Sequence, residues 1–370
     1  MDTKPLAIFL VATPGLEKPL CAEAKSLGFA DPRPVQGGVE LTGDWPDVWR
    51  ANLELRGAGR VLVRIASFRV NHLAQLDRRA RQVEWGAVLR KDVPIRVEAS
   101  CRKSRIYHSG AAAERVERAI AEDLGAPLSP DAAVRVLVRI DTDVCTISVD
   151  TSGEGLHRRG HKQEVNRAPM RETLAALFLR QCGFDGTEPI LDPMCGSGTF
   201  VIEAAEIALG LSPGRARGFA FEQLASFDPA RWAAMKQPTA SKTTPFLFFG
   251  SDRDAGAIRM STANAERAGV ASVTRFTQTG VETLERPQGP PGLIIVNPPY
   301  GARIGDRKGL YPLYGALGRS LSSRFSGWRV GLVTADKTLA AATSLPFGKP
   351  GDSVDNNGIR IALYRTAPLP

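Results

Sequence analysis

Hydrophobic and polar positions along the chain change rhythm near residue 168. Before it, short alternating runs interleave with helical ones. Leu6–Ala12 reads as a strand, and Leu16–Leu27 has apolar residues at helical spacing and stops at Gly28. Val39–Leu41 follows a Gly37-Gly38 turn, and a helix starts at Trp45 with Asp44 as N-cap and Pro46 in the first turn. Val61–Phe68 and Pro94–Cys101 alternate as strands, and Ala111–Leu124 reads as a helix. Val134–Ile140 and Val144–Asp150 form a hairpin around Asp-Thr-Asp. This first part is an α+β module, or two small ones in tandem.

After residue 168, apolar strands alternate with longer helices. Helices are predicted at Met170–Cys182, Phe200–Leu209 and Ala255–Ala268. Strands are predicted at Pro189–Asp192, Phe246–Gly250, Val273–Thr277, Leu293–Val296, Val330–Thr334 and Ile359–Tyr364. This alternation predicts a mostly parallel, doubly wound α/β sheet. Ser212–Thr244 breaks the rhythm and reads as an insertion packing on the sheet edge.

Composition narrows the picture. At about 150 residues per domain, 370 residues suggest two or three domains. Apolar content of 43% with 24% charged residues is that of a globular chain, and no apolar run approaches the roughly 20 residues that span a bilayer. The run at Leu6 is short and lacks a basic leader, so it reads as a strand and not as a signal peptide. Five cysteines with no C-x-x-C pair fit a reducing cytoplasm, and the four histidines show no metal-ligand spacing, so no metal is expected. The net charge of +9 points to a polyanionic partner. It is uneven: +8 over residues 51–110, +4 over 156–171, +6 over 301–370, and −2 over 172–300.

Three motifs carry chemistry. In Ile190-Leu-Asp-Pro-Met-Cys-Gly-Ser-Gly-Thr-Phe200 a buried strand ends at Asp192 and a glycine turn opens a helix. Gly196 and Gly198 let backbone approach a ligand, and the helix start offers free N–H groups. The alternative is a tight turn that binds nothing. Phe248-Phe-Gly-Ser-Asp-Arg-Asp254 places Asp252 at a strand end, where a carboxylate can accept both ribose hydroxyls; the alternative is a helix N-cap, which Asp254 fits as well. In Leu293-Ile-Ile-Val-Asn-Pro-Pro-Tyr300, Asn297 and the Pro298 carbonyl can accept hydrogens from an amino group, Pro299 stiffens the turn, and Tyr300 offers a stacking face. A rigid loop is the plain alternative. All three motifs end strands of one α/β domain and so converge on one crevice.

Together these residues resemble the class I S-adenosylmethionine-dependent methyltransferases that act on exocyclic amines. Asp143-Val-Cys-Thr-Ile-Ser-Val-Asp-Thr-Ser-Gly-Glu-Gly-Leu-His-Arg-Arg-Gly-His161 and Ala168-Pro-Met-Arg-Glu-Thr-Leu-Ala-Ala176 are similar to the bacterial guanine-N2 methyltransferases of large-subunit ribosomal RNA. Ile95–Ser109 resembles the core of a THUMP RNA-binding domain. The resemblance implies a ferredoxin-like segment at 1–60, a THUMP domain at 61–155, a linker at 156–169 and a Rossmann-like methyltransferase domain at 170–370. It implies S-adenosylmethionine held by Asp192, Pro193, Cys195, Gly196, Ser197, Gly198, Thr199, Asp252, Arg253 and Gln278, and a catalytic set of Asn297, Pro298, Pro299 and Tyr300. It departs from the family at Gly280 in Phe276–Leu284, where an acidic residue usually serves adenine; Gln278, Thr279 or backbone would substitute. Cys195 reads as a packing residue rather than a nucleophile.

RNA, ribosomal above transfer RNA, is the partner implied, with no membrane and no metal, in the cytoplasm. Arg102, Lys103 and Arg105 beside Tyr107, and Arg158, Arg159 and Lys162 in the linker, are the candidate RNA contacts; solvated surface charge is the alternative for both groups. Three other functions stay open: a transfer-RNA guanine-N2 methyltransferase, a DNA or protein-amide methyltransferase using the same Asn-Pro-Pro-Tyr, and a catalytically silent RNA-binding protein.

Overall fold

Two seven-stranded sheets organise the chain in its computed structural model, which describes residues 5–163, 170–237, 242–300, 309–356 and 358–370. The chain divides into two units: residues 1–12, 20–156 and 217–237 make the first, and 13–19, 157–216 and 238–370 the second.

The first unit is built on β1 (Leu6–Val11), α1 (Glu17–Ser26, its first turn in the second unit), β2 (Arg33–Val35), β3 (Gly38–Gly43), α2 (Trp45–Glu54), β4 (Arg60–Arg69), α3 (Leu73–Ala80), β5 (Ile95–Arg102), α4 (Ser109–Asp123), β6 (Val134–Asp141) and β7 (Val144–Asp150). The sheet order is β2-β3-β1-β4-β7-β6-β5, antiparallel except for the β5–β6 pair. One sheet thus runs without a break through both segments expected from the sequence, and β4 crosses their expected boundary at residue 60. Asp44 caps α2 as predicted, in a reciprocal box with Asp47 at 3.1 Å each way. Two histidines also turn out to be caps: Nδ1 of His72 accepts from Gln75 N–H (3.2 Å) at the start of α3, and Nδ1 of His108 accepts from Ala111 N–H (3.0 Å) at the start of α4. The β6–β7 turn holds Thr142 and Asp143 at φ 53° and 59°, the double left-handed geometry of a tight hairpin.

The insertion expected on the edge of the second sheet is corrected in part. Residues 217–237, including α7 (Pro229–Lys236), belong to the first unit. The reason is aromatic: the Phe221 ring lies 4.9 Å from Trp232, 5.2 Å from Phe219 and 5.9 Å from Trp49. Arg217 locks the entry by donating to the carbonyls of Ser152 (3.2 Å), Glu154 (2.8 Å) and Gly155 (2.8 Å).

The second unit holds α5 (Glu172–Gln181), β8 (Ile190–Asp192), α6 (Thr199–Ala208), β9 (Phe248–Asp252), α8 (Ala255–Ala268), β10 (Thr274–Gln278), β11 (Leu293–Val296), α9 (Leu310–Arg324), β12 (Arg329–Thr334), α10 (Lys337–Ala342), β13 (Val354–Asn356) and β14 (Ile359–Arg365). Its order is β10-β9-β8-β11-β12-β14-β13, with the first five parallel and β14 antiparallel to both neighbours. Central β8 and β11 are buried along their whole length, as strands covered on both faces require. The winding reverses between β8 and β11, which opens a crevice at their C-terminal ends.

Candidate active site

The parallel strands β10, β9, β8 and β11 are neighbours, so Gln278, Asp252, Asp192 and Asn297 stand in a row along one sheet edge. The glycine turn after Asp192 is stitched to that edge. Cys195 N–H donates to the Ser251 carbonyl at 2.9 Å, and Gly196 N–H to Asp252 Oδ2 at 3.1 Å. Asp252 also accepts from Asp254 N–H at 3.0 Å, and Gln278 Nε2 donates to the Arg253 carbonyl at 3.2 Å. The cap of α8 is Asp254, which accepts from Gly256 and Ala257 N–H groups, so Asp252 is not used in that role.

Both turn glycines are left-handed, for different reasons. Gly198, φ +83°, starts α6, and a Cβ there would meet Ser261 Cβ at 3.0 Å and Phe276 Cζ at 3.3 Å. Gly196, φ +52°, has nothing within 4 Å of the same position, so the turn faces open space there. Gly198 supplies no side-chain cap, which leaves the first amides of α6 without one. An open glycine face, a helix start and a strand-end carboxylate with unused lone pairs fit a nucleoside bearing a charged tail, as S-adenosylmethionine does.

Burial dominates the local acid–base chemistry. Asp192 is pushed up to about 8, first by burial and further by the charge of Asp252, although Met194 N–H donates to it at 3.1 Å. Cys195 is buried and its thiol is held well above its ordinary value by burial and the neighbouring carboxyls, as a packing residue would be.

At the end of β11, Asn297 Oδ1 is buried and has no hydrogen-bond partner among the described residues. Such an acceptor costs about 1–3 kcal/mol unless something donates to it. The Pro299 carbonyl is occupied: Tyr314 Oη lies 3.2 Å from it and 3.2 Å from Thr334 Oγ1, and burial lifts Tyr314 to about 12, so the phenol keeps its proton. Tyr300 is half-buried and its hydroxyl accepts from Asn356 Nδ2 at 3.1 Å.

The linker cations divide. Arg158 is exposed. Arg159 and Lys162, expected as RNA contacts, are corrected to internal ion pairs of the second unit. Arg159 Nε lies 3.0 Å from Glu203 Oε1, and Lys162 Nζ lies 2.8 Å from Thr199 Oγ1, 2.9 Å from the Met170 carbonyl and 3.2 Å from Glu172. The reason is that Glu203 and Glu206 sit inside the apolar helix α6 and need buried counter-charges; Arg215 Nη2 meets Glu206 at 2.6 Å. A chain of bonds then ties the linker to the glycine turn: Arg267 Nε donates to the His161 carbonyl (2.9 Å), Arg267 Nη2 to Asn264 Oδ1 (2.6 Å), and Asn264 Nδ2 to the Ser197 carbonyl (3.1 Å). Residues 164–169 of the expected linker lie outside the described residues.

In the first unit, Arg102, Lys103 and Arg105 are exposed, and Tyr107 is 85% exposed. Their loop is fixed by Asp143, whose Oδ1 accepts from Arg105 N–H at 2.7 Å and whose N–H donates to Ser104 Oγ at 3.0 Å. Among the described residues no cluster of His, Cys, Asp and Glu could hold a metal, and no helix is long and apolar enough to cross a membrane.

Residues 7–62 match the RlmL ferredoxin-like domain. The chain is 35% identical over 356 residues to ribosomal RNA large subunit methyltransferase K/L of Vibrio campbellii, covering 92% of this chain and 50% of that protein. It therefore spans about half the length of the curated relatives it matches. Among solved structures it is similar to one described as a possible methylase from Clostridium difficile 630, with 29% identity, TM-score 0.89 and 99% of each chain covered. It is also similar to SMU.472 complexed with SAH, with 25% identity, TM-score 0.89, and 100% and 99% of the two chains covered. Residues 159–349, which carry the glycine turn, Asp252 and Asn-Pro-Pro-Tyr, match the RMKL-like methyltransferase domain, and the chain belongs to that family of S-adenosylmethionine-dependent methyltransferases.

Proposed function

We propose that this protein methylates the exocyclic N2 of a guanine in RNA, with 23S ribosomal RNA as the substrate. The observation that carries the reading is the buried Oδ1 of Asn297 at the end of β11, without a partner among the described residues, three residues before a tyrosine fixed through its hydroxyl. A guanine amino group supplies the donor that this acceptor lacks.

Bound S-adenosylmethionine supplies a methyl group already activated by the positive charge on its sulfur. Gly196, Gly198 and Asp252 would hold the cofactor, with Asp192, Pro193, Cys195, Ser197, Thr199, Arg253 and Gln278 around them. The amino nitrogen of guanine is a weak nucleophile, because its lone pair is delocalised into the ring. Asn297 Oδ1 and the Pro298 carbonyl accept its two hydrogens and so turn the lone pair out of the ring plane. Pro299, its carbonyl held by Tyr314, keeps the turn rigid, and Tyr300 stacks on the base. Orientation supplies most of the rate. The proton lost from nitrogen passes to water, so no general base is assigned.

The base must leave its stack to reach the crevice, at a cost of a few kcal/mol, which favours unpaired guanines. Arg102, Lys103 and Arg105 hold RNA phosphates while Tyr107 stacks, with residues 61–155 acting as a THUMP domain and Arg158 adding charge after it. An rRNA substrate places the protein in the cytoplasm. The test is nucleoside mass mapping of ribosomal and transfer RNA from cells lacking the protein. Loss of one N2-methylguanosine from 23S RNA is expected; an unchanged complement there contradicts the reading.

A further inference from the structure

Asn356 ends β13 at its turn into β14, where it pairs with Ile359. It is 9% exposed, and its Nδ2 donates to the Tyr300 hydroxyl at 3.1 Å. Its Oδ1 is buried and has no partner among the described residues. Among the described residues, two unpartnered amide oxygens are thus linked to Tyr300: that of Asn297, three residues before it in the chain, and that of Asn356, whose Nδ2 is bonded to its hydroxyl.

The bases differ in how many donors they present side by side. Guanine offers an amino group at N2 next to a ring N1–H. Adenine and cytosine offer an amino group next to a ring nitrogen that is itself an acceptor. A pair of acceptors matches guanine and sets oxygen against a lone pair for the other two, a mismatch that buried polar groups punish strongly.

We propose that Asn356 determines base specificity: its Oδ1 accepts the N1–H of the target guanine while Asn297 accepts the N2 amino group. This rests on the guanine reading above. The same amide, through Nδ2, holds the stacking tyrosine in place, so a single side chain aligns the base plane and reads its edge.

A double-mutant cycle tests the claim, using the full chain, labelled S-adenosylmethionine and an unmodified transcript of 23S RNA, with products identified by mass. Asn356→Ala is expected to lower kcat/KM by at least about tenfold, with cofactor affinity by calorimetry unchanged within about twofold. A loss of several-fold is expected to remain in a Tyr300→Phe background, where only the tyrosine-holding part of it is gone, because the contact to the base does not pass through the hydroxyl. A loss that vanishes in that background, or no loss, overturns the proposal. Asn356→Asp keeps both the volume and the acceptor and should retain most turnover; a loss as large as that of Asn356→Ala overturns it too. On the unaltered protein, guanosine should inhibit transfer at least about tenfold better than 1-methylguanosine, which lacks N1–H; equal inhibition overturns the claim without any variant. If the unaltered protein forms no N2-methylguanosine at all, the guanine reading itself has failed, and Asn356's role falls with it.

Discussion

Arg159 Nε and Glu203 Oε1 lie 3.0 Å apart with both side chains sealed from solvent, at 2% and 1% exposure. The arginine comes from a basic run read in the sequence as an RNA contact, and the carboxylate from a helix that is apolar apart from Thr199, Glu203 and Glu206. Removing one partner leaves the other charge buried. Glu203→Gln or Arg159→Met should therefore cost roughly 3–5 kcal/mol of stability. The double replacement Arg159→Met with Glu203→Leu should cost less than either single change. Urea unfolding followed by circular dichroism checks both.

Asp192 gives the fold a pH dependence. Its native value of about 8 lies above the ordinary 3.8, so between about pH 4 and 8 the native state holds a proton that the unfolded chain has released. Stability is then greatest at the acid end of that window and falls as pH rises through it. Asp192→Asn removes the titrating group. The melting temperature of wild type relative to Asp192→Asn should fall steadily from pH 5 to 8; a constant difference would show that the carboxyl does not titrate there.

The exposed cluster in the first unit and the buried cations of the linker make opposite predictions for RNA. Replacing Arg102, Lys103 and Arg105 together should weaken binding and flatten its salt dependence by about 0.7 per lost phosphate contact on a single strand. Arg159→Met should leave the salt slope alone. Filter binding of 23S RNA fragments across a salt series separates the two; an unchanged slope in the triple variant would make that cluster an ordinary solvated edge.

Phe221 tests the insertion. It is fully buried among Phe219, Trp232 and Trp49, the last of them on α2 and far away in sequence. Phe221→Ala should cost about 3–5 kcal/mol. Intrinsic tryptophan fluorescence during unfolding reports it, since two of the three neighbours are tryptophans.

What the sequence revealed followed from local signals. Asp44, two residues before Pro46, marks the start of α2, and the apolar runs ending at Asp192, Asp252 and Asn297 mark strand ends that the sheet then brings into a row. What it concealed was long-range. Phe219, Phe221, Phe227 and Trp232 follow no period, because they fill a pocket instead of lining one face. The bond between Tyr300 and Asn356 spans 56 residues and depends on a three-residue strand too short to leave a pattern. One further signal lies in the sequence itself: Glu203 and Glu206, three apart in the apolar helix α6, require buried cations, and these come from both sides of the helix in the chain, Arg159 before it and Arg215 after it.

The central claim is that Asn297 Oδ1 receives the amino group of a guanine. Its most direct test is single-turnover transfer from S-adenosylmethionine to unmodified 23S RNA by wild type and Asn297→Ala, with cofactor affinity measured in parallel. The account predicts N2-methylguanosine as the wild-type product, at least about a hundredfold slower transfer in the variant, and cofactor affinity within about twofold of wild type. Retained transfer by Asn297→Ala, or a methylated base other than guanine from wild type, would contradict it.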